Sequence, residues 1–129
     1  MGVLTRGLTL DTGALIAFER GDDRMRRLAD AGRNGQRELS IPVVVIAEAW
    51  RGGNRRALQP LLDVSAVEEV DDELARRAGE LLARTGRANA VDAIVAVSAA
   101  RRGDTVVTSD PGDLLPFADD LRTIRVWSV

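Results

Sequence analysis

Short apolar runs alternate with segments of helical periodicity along this chain of 129 residues. Strands that are joined by helices need crossover connections, so the alternation predicts a mostly parallel sheet with helices on both faces. The length suits one hydrophobic core, and we therefore expect a single α/β domain over residues 1–129. About five strands are predicted, at residues 7–10, 38–41, 65–70, 105–108 and 123–127.

One segment between the predicted strands is ambiguous. Three consecutive valines after Pro42 favour a strand by propensity, whereas Pro42 itself suits the first turn of a helix. We interpret residues 42–51 as a helix that Gly52 and Gly53 terminate, and Asn54 as the start of the next helix. The other predicted helices cover residues 11–21, 22–33, 54–62, 71–86 and 89–100, and a turn is expected at 114–118.

Cysteine, histidine and lysine are all absent from the chain. Their absence excludes disulfides, ordinary zinc sites, thiolate or imidazole catalysis, and any mechanism that needs a P-loop or Schiff-base lysine. A catalytic protein of this composition has carboxylates, hydroxyls and arginines to work with. A group that holds a proton near neutral pH would be a carboxylate with a raised pKa.

Charge and hydropathy bear on the location and the partner. No uncharged apolar run approaches the roughly 18 residues of a membrane helix, and the first residues do not resemble a secretory signal. We therefore expect a cytoplasmic protein with no membrane contact.

The net charge of -2 counts mildly against nucleic-acid binding. If four of the acidic residues hold cations, the remaining surface is net positive, so the overall charge leaves the partner open.

Two carboxylates follow predicted strands. Asp11 comes directly after the first strand and Asp110 comes shortly after the fourth. Ligands of parallel sheets gather beyond the carboxyl ends of the strands, so both positions favour a binding site. The alternatives are that Asp11 is a helix N-cap and that Asp110 is a turn residue before Pro111.

Two further carboxylates lie in apolar helical segments. Glu48 is the only charge within residues 41–50, and Asp92 shares a predicted helix face with the small residues Ala96 and Ala99. Isolated ionised carboxylates are rare in such settings. The alternatives are a solvent edge for Glu48 and a favourable position at the helix dipole for Asp92.

Taken together, the four carboxylates predict one acidic pocket. Their charges would repel unless they were protonated or neutralised by cations. Oxygen ligands without histidine or cysteine suit Mg²⁺ or Mn²⁺, and one or two such ions can activate water for phosphodiester hydrolysis.

The order and spacing of these acids resemble the acidic quartet of PIN-domain ribonucleases, and most of all the VapC-type toxins of bacterial toxin-antitoxin pairs. The resemblance covers essentially the whole chain and implies a PIN-like three-layer fold and metal-dependent endonucleolytic cleavage of RNA. It also implies homodimers and a cognate antitoxin protein. The matching segments are Leu-Asp-Thr-Gly-Ala-Leu at Asp11, Val-Ile-Ala-Glu-Ala at Glu48, Val-Asp-Ala-Ile-Val-Ala at Asp92 and Thr-Ser-Asp-Pro-Gly-Asp-Leu at Asp110.

The resemblance also assigns roles to individual residues. The quartet would be both the catalytic residues and the metal ligands, with Asp110 acting directly or through water. Thr12 would support Asp11 through its hydroxyl, and Ser109 occupies a position where the family often has a small hydroxyl residue. Asp113 either joins the site as an auxiliary acid or caps the turn at 114–118.

Five arginines near the ends of the acidic helices are candidate RNA contacts. Each could bind a phosphate or simply complement a helix dipole in solvent. Aromatic residues make up 3% of the chain, which offers little for base stacking. The five are Arg51, Arg55, Arg56, Arg101 and Arg102.

Other readings of the acids remain. Phosphate-transfer domains of the receiver or haloacid dehalogenase type also place aspartates after parallel strands. The first needs a lysine, and the second needs an aspartate where this chain has Gly13. The main alternative is a catalytically inactive PIN-like module that binds RNA or protein without cleavage.

Overall fold

A five-stranded parallel sheet forms the centre of the fold in this computed structural model, which describes residues 7–51 and 55–129. The strand order is β3-β2-β1-β4-β5, and every neighbouring pair is parallel. The predicted α/β fold with a parallel sheet is therefore confirmed. The strands are β1 (Leu8–Leu10), β2 (Leu39–Pro42), β3 (Ala66–Glu68), β4 (Thr105–Thr108) and β5 (Arg125–Ser128).

Seven helices connect the described strands. The chain steps from β1 through β2 to β3 in one direction and crosses back to β4 and β5 in the other. Because such crossovers are right-handed, the helices before and after β3 cover opposite faces of the sheet. No helix in the described ranges is long and apolar enough to cross a membrane. The helices are α1 (Thr12–Glu19), α2 (Asp23–Arg33), α3 (Val43–Trp50), α4 (Arg55–Asp63), α5 (Asp72–Thr85), α6 (Ala90–Arg102) and α7 (Pro111–Leu121).

The core lies around the three central strands. All residues of β1 and β2 are buried, whereas β3 and β5 at the sheet edges are largely exposed. Helices α1 and α6 both contact β1 and β4, and this packing accounts for the unbroken burial of the central strands. The sheet thereby holds the ends of β1 and β4 in fixed positions.

The ambiguous segment after β2 is helical, as predicted. Pro42 ends β2 in an extended conformation and is the N-cap residue of α3. Val45 and Ala49 are buried on the inner side of this helix, and α3 contacts α1. Packing against α1 outweighs the strand propensity of the valines. The predicted end of this helix at Gly52 and Gly53, and the start of the next at Asn54, lie outside the described residues.

The prediction of a short turn at 114–118 is wrong, because α7 is an 11-residue helix. Pro111 occupies its first turn, where backbone N–H groups have no partner within the helix, so the missing N–H of proline costs no hydrogen bond. The interior Pro116 is tolerated in this helix, whose Leu114 and Phe117 are buried. Leu114, Phe117, Ala118 and Leu121 recur at positions i, i+3, i+4 and i+7, and this periodicity would have identified the helix.

Candidate active site

The candidate site lies where the connections of the sheet change direction. β1 and β4 are adjacent, and the chain leaves them towards opposite edges of the sheet. Such a switch point opens a crevice at the carboxyl ends of the strands. Asp11 follows β1 directly, and its backbone N–H donates to the carbonyl of Val107 in β4 at 3.2 Å. Asp110 follows β4 after Ser109, so the switch point brings both predicted strand-end acids to one crevice.

Asp11 is both a helix cap and a buried acid. Its Oδ1 accepts a hydrogen bond from the backbone N–H of Ala14 at 2.9 Å, which caps α1. The residue is only 5% exposed. Burial raises the pKa of Asp11, although hydrogen bonds from the Thr108 hydroxyl and from the backbone of α1 oppose the shift. The capping role and the site role are therefore compatible.

Asp110 and Asp113 form a pair of exposed carboxyls at the start of α7. Asp110 occupies the N-cap position, but its side chain makes no capping hydrogen bond. Loss of hydration raises the pKa of Asp113, as do the charge of Asp110 and a hydrogen bond between the two carboxyls. The charge of Arg87 acts in the opposite direction. Asp113 lies in the first turn of α7 rather than at its cap.

Glu48 faces α1 rather than a solvent edge of its own helix. Thr12 donates a hydrogen bond from its Oγ1 to Oε1 of Glu48 at 2.5 Å, and Glu48 is half-buried. Val43 and Ala47 form the exposed side of α3. The expectation that Thr12 supports Asp11 is therefore corrected, because its hydroxyl is used by Glu48.

The charges of the other candidate acids act on Asp92. Burial raises the pKa of Asp92 to about 6, and the charges of Asp113, Asp11, Glu48 and Asp110 add to the shift, in that order. Asp92 also lies in the first turn of α6, where the helix dipole alone would lower its pKa. Burial and repulsion between carboxylates act in the opposite direction to the dipole and raise the pKa.

The donor chemistry and charge of this site fit a hard divalent cation. Five carboxyls provide only oxygen donors, and none of them forms an ion pair with an arginine in residues 7–51 and 55–129. Within the same ranges, no three acidic side chains are already close enough together to hold one metal ion. The other four carboxyls are therefore near enough to act on Asp92 electrostatically, but in the described ranges they do not form a coordination shell.

The candidate arginines fall into two groups. Arg51, Arg55 and Arg56 are exposed at the end of α3 and the start of α4. Arg101 and Arg102 end α6, about 15 Å along the helix from Asp92. The distance of Arg101 and Arg102 from Asp92 argues against contacts between these two arginines and a phosphate at the carboxylate site.

Arg102 is also held in a network on the amino-terminal side of β4. Its guanidinium donates to Thr9 Oγ1 at 2.7 Å, to Ser98 Oγ at 2.8 Å and to Asp104 Oδ2 at 3.0 Å. The Thr9 hydroxyl in turn donates to Asp104 Oδ2 at 2.8 Å. The expectation that Arg102 is an exposed RNA contact is therefore corrected, because these buried partners occupy its donors.

Two residues of the site are missing from the sequence predictions. The Thr108 hydroxyl donates to Asp11 and also accepts the backbone N–H of Asp110 at 2.9 Å, so it links the two strand-end acids. Arg87 acts on Asp113 from the loop before α6. Thr108 could have been found as the last residue of a strand that leads into an acid, whereas the position of Arg87 depends on tertiary packing.

A parallel α/β sheet with acidic residues at its switch point defines a class of proteins with a ligand site at the carboxyl ends of the strands. The PIN domain family model matches residues 8–115, so the chain belongs to the PIN domain family. A comparison with curated protein sequences gives no match.

Several solved structures share the fold over nearly the whole chain. VapBC from Salmonella typhimurium, solved bound to DNA, has a TM-score of 0.68 and 22% identity over 96% of this chain and 98% of that chain. VapBC2 from Rickettsia felis, bound to a promoter DNA fragment, has a TM-score of 0.65 and 17% identity over 94% and 97%. VapC20 from Mycobacterium tuberculosis, described as a sarcin-ricin loop cleaving toxin, has a TM-score of 0.60 and 23% identity over 78% and 87%. The resemblance to VapC-type PIN proteins is thus confirmed for the fold.

Proposed function

We propose that the chain acts as one PIN domain that cleaves RNA endonucleolytically with the help of Mg²⁺ or Mn²⁺. The main support is electrostatic, since burial and the charges of four other carboxylates raise the pKa of Asp92 to about 6. Such an accumulation of charge is unfavourable in the free protein and becomes favourable when a cation binds. The fold shared with a toxin described as cleaving the sarcin-ricin loop supports RNA as the substrate class.

Asp11, Glu48, Asp92 and Asp110 would hold one or two cations, with Asp113 as an auxiliary acid. A divalent cation would supply a Lewis acid for a phosphoryl oxygen and would lower the pKa of water.

The protein's own groups position this site. The Thr108 hydroxyl orients the Asp11 carboxylate, and the Thr12 hydroxyl orients Glu48. Burial and the neighbouring carboxylates raise the pKa of Asp92 to about 6 in the cation-free protein. Arg51, Arg55 and Arg56 would attract the phosphate backbone of the RNA.

The proposed partner is a cognate antitoxin. VapBC complexes share the fold of this chain, and in the proposed system the antitoxin restrains the nuclease. We also propose a homodimer located in the cytoplasm. Size-exclusion chromatography with light scattering, on the chain alone and with the neighbouring gene product, tests both partners.

The decisive experiment measures cleavage of a broad RNA panel by purified protein with Mn²⁺ or Mg²⁺ and with EDTA. An Asp92→Asn variant, purified identically, controls for contaminating nucleases. We expect product formation that needs both the cation and Asp92. Asp92→Asn keeps the shape of the side chain and its place in α6, so loss of activity reports chemistry rather than unfolding.

Two results would contradict the proposal. Equal cleavage by both proteins would identify a contaminant. A folded, antitoxin-free protein loaded with Mn²⁺ that cuts no RNA of the panel would favour the alternative of a PIN-like module that only binds RNA or protein.

A further inference from the structure

A cavity of about 320 Å³ lies beside the carboxylates along α1. Gly13, Ile16, Ala17 and Arg20 line it from one face of α1, and Ser109 closes the end nearest the acids. A Cβ atom at Gly13 would clash with Oγ of Ser109, and it would lie 3.1 Å from the Ser109 nitrogen and 3.3 Å from Oδ1 of Asp11. Glycine therefore lets α1 pack closely against Ser109, and the cavity ends at these two residues, next to Asp11 and Asp110.

Arg20 stands at the other end of the cavity, about 10 Å along the helix from Gly13. It is exposed, and in the described part of the chain its guanidinium has no hydrogen-bond or ion-pair partner. The carboxylate of Asp22, which also lines the cavity, accepts the backbone N–H of Met25 and caps α2.

A second cavity of similar volume provides a contrast. It lies between α5, α6 and α7, and three arginines line it. Each of these arginines is paired with a carboxylate, namely Arg77 with Glu73, Arg84 with Asp120 and Arg101 with Asp71. The cationic wall of that cavity is neutralised, whereas Arg20 is left available to an anion.

A second guanidinium adds to the positive charge at the Arg20 end. Gly21 turns the chain with φ +85°, and a Cβ atom there would lie 3.0 Å from Nη2 of Arg26. Arg20 and Arg26 thus flank the same turn at the outer end of the cavity. The apolar side chains of Ile16 and Ala17 line the wall between this turn and the carboxylates.

We propose that this cavity is the subsite for the RNA nucleotide next to the cleaved bond, with Arg20 binding its backbone phosphate. This inference rests on the proposed function. The apolar wall suits a sugar or base, and the unpaired guanidinium suits a phosphate. Arg20 is then a substrate-binding residue that holds the strand while the carboxylates act on the neighbouring phosphodiester.

The first test is RNA binding to the Asp92→Asn protein, measured by fluorescence anisotropy with a labelled single-stranded oligonucleotide. Adding Arg20→Gln should weaken binding roughly tenfold. It should also make the plot of log affinity against log salt shallower by about 0.7, the value for one lost phosphate contact on a single strand. Arg20→Lys should recover part of the affinity.

Arg76→Gln is the matched control, since Arg76 is an exposed helical arginine on α5, which covers the other face of the sheet. It makes the same change in net charge. We expect less than a twofold effect on binding and no change in the salt slope. Equal effects of Arg20→Gln and Arg76→Gln would overturn the inference, because they would show only a general loss of charge.

The second test uses cleavage. In the otherwise unchanged protein, Arg20→Gln should raise KM with little change in kcat, because a flanking contact is made equally in the ground state and the transition state. An RNA with a neutral methylphosphonate at the linkage next to the cleaved bond should bind the unchanged protein weakly, and Arg20→Gln should weaken it no further.

The two proposals fail in different ways. Cleavage with an unaltered KM in Arg20→Gln would overturn the subsite and leave the nuclease. Binding that depends on Arg20 without any cleavage would keep Arg20 as an RNA phosphate contact and refute the nuclease. If Arg20→Gln lost affinity for an acidic partner protein while its RNA affinity stayed unaltered, the inference would also be overturned.

Discussion

Replacing Asp92 by asparagine should stabilise the cation-free protein at neutral pH. Burial and the four neighbouring carboxylates raise the pKa of Asp92 from 3.8 to about 6. The folded protein therefore binds a proton more tightly at this position than the unfolded chain does. Ionising Asp92 is consequently harder in the folded state, and the stability that the neutral form contributes is lost as the pH rises from about 4 to about 6.

The size of this effect follows from the pKa shift. A shift from 3.8 to about 6 corresponds to about 3 kcal/mol of unfolding free energy at pH 7.5. Asp92 is only half-buried, so solvent screening reduces the value, and we expect about 1.5 kcal/mol. Asparagine keeps the volume of the side chain and removes the charge. The variant should therefore gain roughly this amount in the absence of a divalent cation.

The assay is urea unfolding followed by circular dichroism, with EDTA present, at pH 7.5 and pH 4. The free-energy difference between Asp92→Asn and the unchanged protein should be about 1.5 kcal/mol at pH 7.5 and only about 0.5 kcal/mol at pH 4. The difference between the two proteins isolates Asp92, because other titrating groups are common to both. Excess Mn²⁺ should reverse the order at pH 7.5, since only the unchanged protein retains the full set of carboxylates.

Asn89→Ala provides a matched control on the same helix. Asn89 caps α6 by accepting the backbone N–H of Asp92 at 3.0 Å, so its removal should cost about 1 kcal/mol at both pH values. An Asp92→Asn protein that is less stable than the unchanged protein at pH 7.5 in EDTA would refute the reasoning. It would mean that the dipole of α6 or an unrecognised cation dominates the environment of Asp92.

Three further outcomes follow from the described contacts. Thr108→Val should weaken Mn²⁺ binding roughly tenfold in isothermal titration calorimetry, because it removes the hydroxyl that orients the Asp11 carboxylate. The control Thr105→Val, at the other end of β4, should leave the Mn²⁺ affinity unaltered. Arg102→Met should lower the unfolding free energy by about 3 kcal/mol, because it leaves a buried carboxylate without its cation, yet an RNA-binding titration should give an unaltered affinity. Mn²⁺ affinity should fall by up to tenfold per pH unit below about 6, where Asp92 takes up a proton, and titrations that give the same affinity at pH 5 and pH 7 would contradict this.

The strand and helix order was predictable because local patterns decide it. The apolar runs and caps locate all five strands and six of the seven described helices within a few residues. At α7, a local rule gave the wrong result, since Pro111 and Pro116 suggest a turn when the apolar spacing is ignored. Proline at the first turn of a helix is a start signal, and Leu114 and Phe117 carry the period that confirms it.

The candidate site was predictable in its members but not in their partners. Asp11 and Asp110 are identified by their place after strands, and Glu48 and Asp92 by the apolar segments around them. The hydrogen bonds among these elements join residues that are far apart in sequence. Thr12 and Glu48 are 36 positions apart, and spacing alone could not show which acid uses the hydroxyl.

The sequence also could not show which arginines are paired, because side chains of equal charge have different partners in the fold. Arg102 is neutralised by Asp104 and reaches Thr9, 93 positions away, so it stabilises the sheet. Arg20 has no such partner in the described ranges and lines the outer end of the cavity that reaches Ser109, next to the acids. The net charge of -2 therefore combines an acidic crevice with arginines that differ in availability. Whether an arginine can bind a phosphate is decided by its carboxylate neighbours, which tertiary packing sets, and this is why Arg20 rather than Arg102 is the residue to test.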